Sequence, residues 1–258
     1  MLPQLIKIGD FFIPTYGVLV TSGFLAALWL ASKLARRSGL NSEAVLNLGI
    51  YCALAALAGA KLLMFAYDFD YYRRNPAEIF SVASLQAGGV FQGGLVLALA
   101  TAFFYMRKTG LPGLATADAF APGIALGHSI GRLGCFAAGC CWGVECHRPW
   151  AVTFTNPVSN QLFGTPLGIP LHPTQLYEAA AEALIFAILY RRFGRPHRAG
   201  SVIGLYLALY SAARFGVEFL RVHDQPNPFG GPFSDAQWVA LVLFLGGVWL
   251  LVPKRAGA

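Results

Sequence analysis

Long apolar stretches separated by short polar segments recur along the whole chain. A transmembrane helix needs about 20 mainly apolar residues, and several stretches meet that requirement. They lie at residues 14–33, 46–66, 89–106, 116–134, 174–191, 201–220 and 235–252. The pattern predicts an all-α polytopic membrane protein with about seven transmembrane helices, in which residues 1–258 form a single domain.

Composition favours a membrane protein over a soluble one. Of the 258 residues, 56% are hydrophobic and 12% are charged, whereas soluble domains carry about 25% charged residues. The net charge of +7 would suit a nucleic-acid binder, but the basic residues occur in short clusters between apolar stretches. Such clusters are typical of cytoplasmic loops, so the expected surroundings are a membrane and not a nucleic acid.

The basic clusters also predict the orientation of the chain. With seven spans, connecting segments alternate between the two sides of the membrane, and one side collects most of the lysines and arginines. These are Lys33, Arg36, Arg37, Arg107, Lys108, Arg191, Arg192, Arg195, Arg198, Lys254 and Arg255. Because positively charged loops stay in the cytoplasm, we expect the N-terminus outside and the C-terminus inside. Segments 67–88, 135–173 and 221–234 then face outward.

One of these outer segments has an unusual composition. Residues 155–175, TNPVSNQLFGTPLGIPLHPTQ, are rich in proline and glycine, which favours irregular structure over a helix. Long ordered loops of this kind commonly build or cover a site. The alternative is an extracellular loop without a role.

Charged residues interrupt the predicted spans, where they need a partner or a polar cavity. Five positions in these spans or directly after them stand out: Lys61, Arg132, Arg214, Glu218 and Arg221. Glu218 is spaced to pair with both Arg214 and Arg221 on one helix face. Arg132 and Arg214 fall near the outer ends of their spans, where two guanidiniums would bind a phosphate diester. The alternative is a set of salt bridges that only hold helices together.

The cysteines form a cluster in sequence. Cys135, Cys140, Cys141 and Cys146 precede His147 in a C-x4-C-C-x4-C-H pattern, whereas zinc sites usually space their cysteines by two to four residues. On the outer face disulfides are permitted, and Cys141–Cys146 or Cys135–Cys140 are the possible pairs. We therefore expect disulfides or buried free thiols, with no metal and no cofactor.

Five motifs occur in order along nearly the whole chain. They are PTYGVLVTSGF (14–24), GRLGCFAAGCCWG (131–143), LHPTQLYEA (171–179), ARFGVEFLRVHD (213–224) and SDAQW (234–238). Together they resemble the prolipoprotein diacylglyceryl transferases. The resemblance implies a multi-pass enzyme of the bacterial inner membrane, with its N-terminus outside.

The resemblance also implies a reaction and its partners. Such an enzyme takes the diacylglyceryl group from phosphatidylglycerol and attaches it as a thioether to the lipobox cysteine of a secreted lipoprotein precursor. Glycerol phosphate is released. By the same resemblance, Arg132 binds the lipid, Arg214 is essential with Glu218 as its partner, and Tyr16 and Gly143 fall on functional positions.

The expected site combines these residues with others from the same motifs. The substrate-binding set is Tyr16, Gln92, Gly131, Arg132, Gly143 and Arg221, and the catalytic set is His172, Arg214 and Glu218. His172 and Glu218 are the candidate bases, since imidazole titrates near neutrality. The alternative for the His172 region is a helix start, with Thr174 as N-cap and Glu178 in the first turn.

Two residues depart from the family pattern. Gln92-Gly93-Gly94 stands where the family has His-Gly-Gly, and Cys135 stands where it has Asn. Glutamine cannot take up a proton at neutral pH, so either the base lies elsewhere or the family's histidine only positions substrate. The alternative function is a divergent relative that binds anionic phospholipid but uses another acceptor or is inactive.

Overall fold

The computed structural model describes residues 2–8, 11–81, 84, 89–222 and 231–253. The α-helices in these ranges are α1 (Thr15–Arg37), α2 (Ser42–Tyr67), α3 (Phe69–Arg74), α4 (Phe91–Thr109), α5 (Gly113–Ala138), α6 (Pro157–Phe163), α7 (Thr174–Phe193), α8 (Ser201–Glu218) and α9 (Asp235–Leu251). A 3₁₀ turn, Pro76–Phe80, follows α3. Two small antiparallel sheets have two strands each: β1 (Gln4–Ile8) pairs with β2 (Phe11–Pro14), and β3 (Val152–Thr153) pairs with β4 (Pro170–Leu171).

The predicted helical character is confirmed. Each of the seven predicted apolar stretches coincides, to within a few residues, with one of the long helices. Helices α1 and α2 are long and apolar enough to cross a membrane, and α9 is a shorter apolar helix. Lys254 and Arg255 lie outside the described residues, as do positions 82, 83, 85–88 and 223–230 of two predicted outer loops.

The chain divides into two compact units. The first unit comprises Met1–Leu34 and Ala117–Ala258, and the second comprises Ala35–Thr116. In the second unit α2 and α4 pack closely at Gly59 and Gly93, where a side chain on either glycine would overlap the carbonyl of the other. Lys61, on α2, donates to the backbone carbonyl of Ser84. Small residues at such crossings let membrane helices approach closely.

Glycines also set the packing of α1 on α5 in the first unit. A Cβ at Gly23 would lie 2.8 Å from the carbonyl oxygen of Gly127, and one at Gly127 would lie 2.9 Å from that of Gly23. Nearer the end of α5, a Cβ at Gly134 would lie 3.4 Å from the ring of Tyr16. This close crossing therefore places Tyr16 beside the last turns of α5.

The start of α8 is capped by a carboxylate from α5. Asp118 is buried and accepts hydrogen bonds from the backbone amides of Gly200, Val202 and Ile203 at 2.7, 3.0 and 2.7 Å. The first amides of a helix lack intrahelical acceptors and carry partial positive charge. Asp118 satisfies them, which accounts for a charged residue inside a predicted span.

The segment that follows α5 contains a helix that the sequence did not predict. Helix α6 lies within the Pro/Gly-rich stretch expected to be irregular, so that expectation is wrong there. Asn156 caps α6 through a 2.9 Å bond from the Val158 amide, Pro157 takes the first position and Gly164 ends the helix at φ 67°. The turn-forming residues thus mark the ends of a two-turn helix and do not exclude it.

Candidate functional site

Glu178 gathers three arginines inside the first unit. Its carboxylate lies 2.7 Å from Arg132, 3.7 Å from Arg214 and 3.3 Å from Arg221. Arg132 comes from α5, Arg214 from α8 and Arg221 from the residues just after α8, while Glu178 lies near the start of α7. A buried carboxylate on one helix therefore holds three guanidiniums from two other parts of the chain.

Glu218 forms the second carboxylate of the cluster. It pairs with Arg214 at 2.6 Å and with Arg221 at 3.8 Å, so both pairs predicted from the spacing are present, although Arg221 lies just after the end of α8. Its other oxygen accepts a 2.9 Å hydrogen bond from the Ser234 hydroxyl. Ser234 also caps α9 in a reciprocal arrangement with Gln237. The end of α8 is thereby connected to the start of α9.

His128 connects Arg132 to a third carboxylate. Nε of Arg132 donates to Nε2 of His128 at 3.2 Å, and Nδ1 of His128 lies 3.0 Å from Glu182. Because arginine only donates, Nε2 must be the unprotonated nitrogen, and the proton on Nδ1 faces Glu182. Tyr210 lines a small cavity with Glu178, Glu182 and Arg214. Arg132 is thus held by Glu178 on one side and by His128 on the other.

Exposure differs between the two kinds of charge. The side chains of Arg132, Arg214 and Arg221 keep 16%, 15% and 20% of their surface accessible, whereas Glu178 and Glu218 keep 5% each. The arginine side chains are therefore the partly exposed members of the cluster, although Nη1 of Arg214 is buried, and the carboxylates are the buried members. Each guanidinium has five N–H donors, more than the carboxylates use. The arrangement is suited to an anion with several oxygen acceptors.

Gly143 links the arginine cluster to His172. Its amide donates to the His172 carbonyl at 2.9 Å, and it forms a β-bridge with Arg221. A Cβ on Gly143 would lie 2.8 Å from both the Cβ of His172 and the Cγ2 of Thr174, and it would overlap the Leu220 carbonyl. The absence of a side chain at Gly143 allows the segments that carry His172 and Leu220 to pack this closely.

His172 is oriented by an aromatic neighbour. Its Nδ1 lies 3.0 Å from the Tyr177 hydroxyl, and its side chain is half-buried. If Nδ1 donates to that hydroxyl, Nε2 carries the lone pair that a base requires. The alternative in which Thr174 is the N-cap of α7 is wrong, because its hydroxyl donates to the Cys141 carbonyl at 2.8 Å and α7 begins without a side-chain cap.

The other predicted site residues lie in different surroundings. Tyr16 is 42% exposed and interacts electrostatically with Arg132. A Cβ on Gly131 would lie 4.0 Å from Cγ2 of Val20, which is an ordinary contact distance. The substrate-binding role of Gly131 therefore stays a prediction. Gln92 belongs to the second unit, where it is exposed in the first turn of α4. Its role also stays a prediction.

Three of the cysteines converge after α5. The sulfurs of Cys135, Cys140 and Cys141 lie within 4.8 Å of one another, and all are free thiols. Cys146 is separate, and its sulfur accepts from the amide of Arg148 at 3.4 Å. The pKa of the Cys141 thiol is lowered, first by hydrogen bonds from Cys135 and Cys140 and then by nearby arginine charges. The pKa of Cys140 is raised by the same pairing.

Glu178 and Glu182 are the site residues that the sequence reasoning missed. The sequence pattern places Glu178 in the first helical turn, where a carboxylate favours the helix dipole. A signal was nevertheless available, because both glutamates lie inside a predicted span and are spaced to share one helix face. Two such carboxylates at membrane depth require cationic or hydrogen-bonding partners.

Comparison with known proteins identifies one family. The family model described as prolipoprotein diacylglyceryl transferase matches residues 3–253. A phosphatidylglycerol–prolipoprotein diacylglyceryl transferase of Vibrio cholerae serotype O1 is 36% identical over 255 residues, which cover 97% of this chain and 90% of the relative. The enzyme of that name from Vibrio vulnificus strain YJ016 is 36% identical over 254 residues, 96% of this chain and 90% of the relative. That from Vibrio parahaemolyticus is 35% identical over 255 residues, 97% of this chain and 89% of the relative.

Proposed function

This chain belongs to the prolipoprotein diacylglyceryl transferase family, and we propose that it transfers a diacylglyceryl group from phosphatidylglycerol to the lipobox cysteine of a secreted lipoprotein precursor. Glycerol phosphate leaves. The observation that carries the proposal is the cluster of three partly exposed arginine side chains held by two buried carboxylates. Such a cluster recognises a phosphate diester at the edge of a membrane.

We further propose a multi-pass enzyme of the bacterial inner membrane, with the N-terminus outside. The basic clusters at the ends of α1, α4 and α7 support this orientation. In this topology α5 and α8 run outward and α7 runs inward. Arg132, Arg214 and Glu178 then lie at the same outer level, in agreement with their mutual ion pairs. The lipid phosphate would meet them at the depth of the headgroups.

The proposed reaction is a displacement at the glycerol carbon of the lipid. The substrate thiol loses its proton, a carbon–sulfur bond forms, and the carbon–oxygen bond to the phosphate breaks. The electron pair of that bond leaves on glycerol phosphate. Arg132, Arg214 and Arg221 would stabilise the charge that develops on the leaving phosphate, and removing one such donor commonly costs about 10²–10³ in rate.

His172 is the proposed base for the thiol proton. Glu218 is less suited, because it already pairs with Arg214 and Arg221 and accepts from Ser234. We assign it to orient Arg214. Tyr16, Gly131 and Gly143 are proposed to bind substrate, Gly143 by keeping His172 and Arg221 together, and Gln92 stays a proposed substrate-binding residue of the second unit. In this scheme His172 removes the thiol proton, so the reaction does not need a histidine at the position of Gln92.

The test is transfer from labelled phosphatidylglycerol to a lipobox peptide in detergent micelles. Wild type, Arg132→Ala and Arg214→Ala would be compared with Arg73→Ala, whose side chain is 65% exposed and lies outside the cluster. Transfer by wild type and Arg73→Ala, with about 10²–10³-fold loss in the other two, supports the proposal. A folded wild type that binds the lipid without transfer would instead favour the divergent relative that Gln92 and Cys135 suggest.

A further inference from the structure

We propose that Cys135, Cys140 and Cys141 form a three-coordinate site for a soft monovalent cation such as Cu(I). Their sulfurs lie within 4.8 Å of one another in the turn that follows α5. The proposed transfer reaction needs no metal, so this site is a second property of the chain and does not depend on that reaction.

The end of α5 brings the sulfurs together. The amides of Gly139 and Cys140 both donate to the Cys135 carbonyl, at 2.9 and 3.1 Å, so the chain turns back on the last helical turn. Gly139 makes this turn with φ 85°, a left-handed conformation that glycine adopts readily. Sequence spacing alone does not predict the cluster, because C-x4-C-C is not a usual metal-binding motif. The turn after α5 brings the three sulfurs together.

The backbone conformation at Cys141 supports a preformed metal site. Cys141 has φ 63° and is the one non-glycine among the described residues with a positive φ. A side chain is disfavoured in this conformation, and such outliers persist where the surroundings hold them, often at functional sites. Here Thr174 donates to the Cys141 carbonyl at 2.8 Å and Gln175 donates to the Cys140 carbonyl at 2.6 Å. Both donors are fully buried, so the turn is held firmly.

The donor set favours a thiophilic metal with three ligands. A trigonal complex with metal–sulfur bonds of about 2.3 Å places its sulfurs about 4 Å apart. The observed separations are thus compatible with a metal after shifts of less than about 1 Å. Structural zinc takes four ligands, and the described residues provide three here. Thiolates select soft ions such as Cu(I), so the donor set matches that ion better than zinc.

Access and charge also fit a bound cation. Cys135 is buried, while Cys140 and Cys141 are half-buried and leave a route for the ion. A monovalent ion with three thiolates carries net negative charge. Arg221 and Arg132 are close enough to interact electrostatically with Cys141, so their positive charge offsets that of the complex.

The test is an anaerobic competition for Cu(I) between the full-length protein in micelles and a chromophoric Cu(I) chelator. Wild type is expected to withhold one Cu(I) per chain and to gain thermal stability from it. Cys135→Ser, Cys140→Ser and Cys141→Ser should each weaken binding by more than about 100-fold, because outer partners alone contribute about 10–100-fold. Cys52→Ser and Cys146→Ser are the matched controls and should bind like wild type.

Two further measurements distinguish a preformed three-thiolate site from nonspecific binding of Cu(I) to separate cysteines. Thr174→Val keeps all three thiols but loses the bond to Cys141, and it should weaken Cu(I) binding by about 10–100-fold. X-ray absorption of the wild-type complex should give three sulfur neighbours. The proposal is overturned if wild type yields all its copper to the chelator, if the triple Ser variant still binds one equivalent, or if Zn²⁺ displaces Cu(I) stoichiometrically.

Discussion

Arg132 and Glu178 form a 2.7 Å ion pair that joins α5 to α7. The same carboxylate also contacts Arg214 and Arg221, so the positions of all three guanidiniums depend on one buried residue. Only 5% of the Glu178 side chain is exposed, and it lies beneath them. In the proposed reaction it therefore positions the groups that bind the phosphate and does not meet the phosphate itself.

Replacing Glu178 with Gln should be the most damaging single change beneath the cluster. The variant keeps the shape of the side chain but leaves three guanidiniums without their shared anion, and breaking a buried ion pair costs about 3–5 kcal/mol. We expect a lower thermal midpoint and an initial transfer rate reduced by about 10²–10³. Glu43→Gln, at an exposed position of α2, is the control. A Glu178→Gln rate within about twofold of wild type would contradict this role.

Replacing His128 tests a positioning role toward Arg132. His128→Leu removes the acceptor for Arg132 Nε and the contact with Glu182. A hydrogen bond to a charged group contributes about 1.5–3 kcal/mol, so the KM for phosphatidylglycerol should rise about 10–100-fold while kcat changes less. His128→Gln offers an oxygen to Arg132 and an amide to Glu182, and it should recover most of the affinity.

The outcome distinguishes positioning from a purely structural role. Equal thermal midpoints for the Leu and Gln variants, with only the Gln variant restoring KM, would support positioning. Equal increases of KM in both would mean that His128 does not act through its hydrogen bonds.

Asp118→Asn should lower stability without changing the site. The carboxylate accepts from three backbone amides at the start of α8, and Asn supplies one acceptor oxygen while its amide faces donors. We expect a loss of about 1–3 kcal/mol, measured as a lower thermal midpoint. Asp70→Asn, whose parent side chain is 81% exposed, should leave the midpoint unchanged. A changed KM in Asp118→Asn at permissive temperature would argue against a purely structural cap.

Local relationships within the site were predictable, and long-range ones were not. Arg214 and Glu218 lie four residues apart on one helix, so helix geometry alone predicts their pair, and the structure has it at 2.6 Å. The contact between Glu178 and Arg132 joins two different helices and depends on how α5 and α7 pack. The spacing of residues along the chain does not predict how these two helices pack.

The same distinction between local and long-range information applies to the outer segment between α5 and α7. Apolar length predicted α5 and α7, because a membrane fixes the length of a helix. The path between them depends on backbone conformations such as φ 85° at Gly139 and φ 63° at Cys141. These angles decide which thiols meet. The cysteine pattern left disulfides and free thiols as alternatives, and all the cysteines are free in the structure.

Replacing His172 tests its role as the base. The base must offer a lone pair to the thiol proton, and Nε2 of His172 would supply it if Nδ1 donates to the Tyr177 hydroxyl. His172→Gln lacks that ring nitrogen and should lose about 10²–10⁴ in kcat. His147→Gln, from a side chain that is 79% exposed, is the control. A kcat for His172→Gln within about twofold of the control would assign the base elsewhere.

Gly143→Ala should separate the two halves of the site while leaving the fold intact. The new Cβ would lie 2.8 Å from His172 Cβ and from Thr174 Cγ2, closer than side-chain carbons approach. The segment carrying His172 must then move away from Leu220 and Arg221. A misplacement of about 1 Å in a catalytic arrangement can cost about 10²-fold in rate, so we expect that loss in kcat.

Gly216→Ala is the matched control for this change. It adds the same methyl group on α8, near Arg214, at a position where the new carbon meets nothing within 4 Å. It should leave the transfer rate within about twofold of wild type and raise stability slightly through helix propensity. Transfer and thermal unfolding would be measured on both variants. If Gly143→Ala transfers as fast as Gly216→Ala, the contact between His172 and Arg221 through Gly143 is not needed for the reaction, and the proposed base must be sought among other residues.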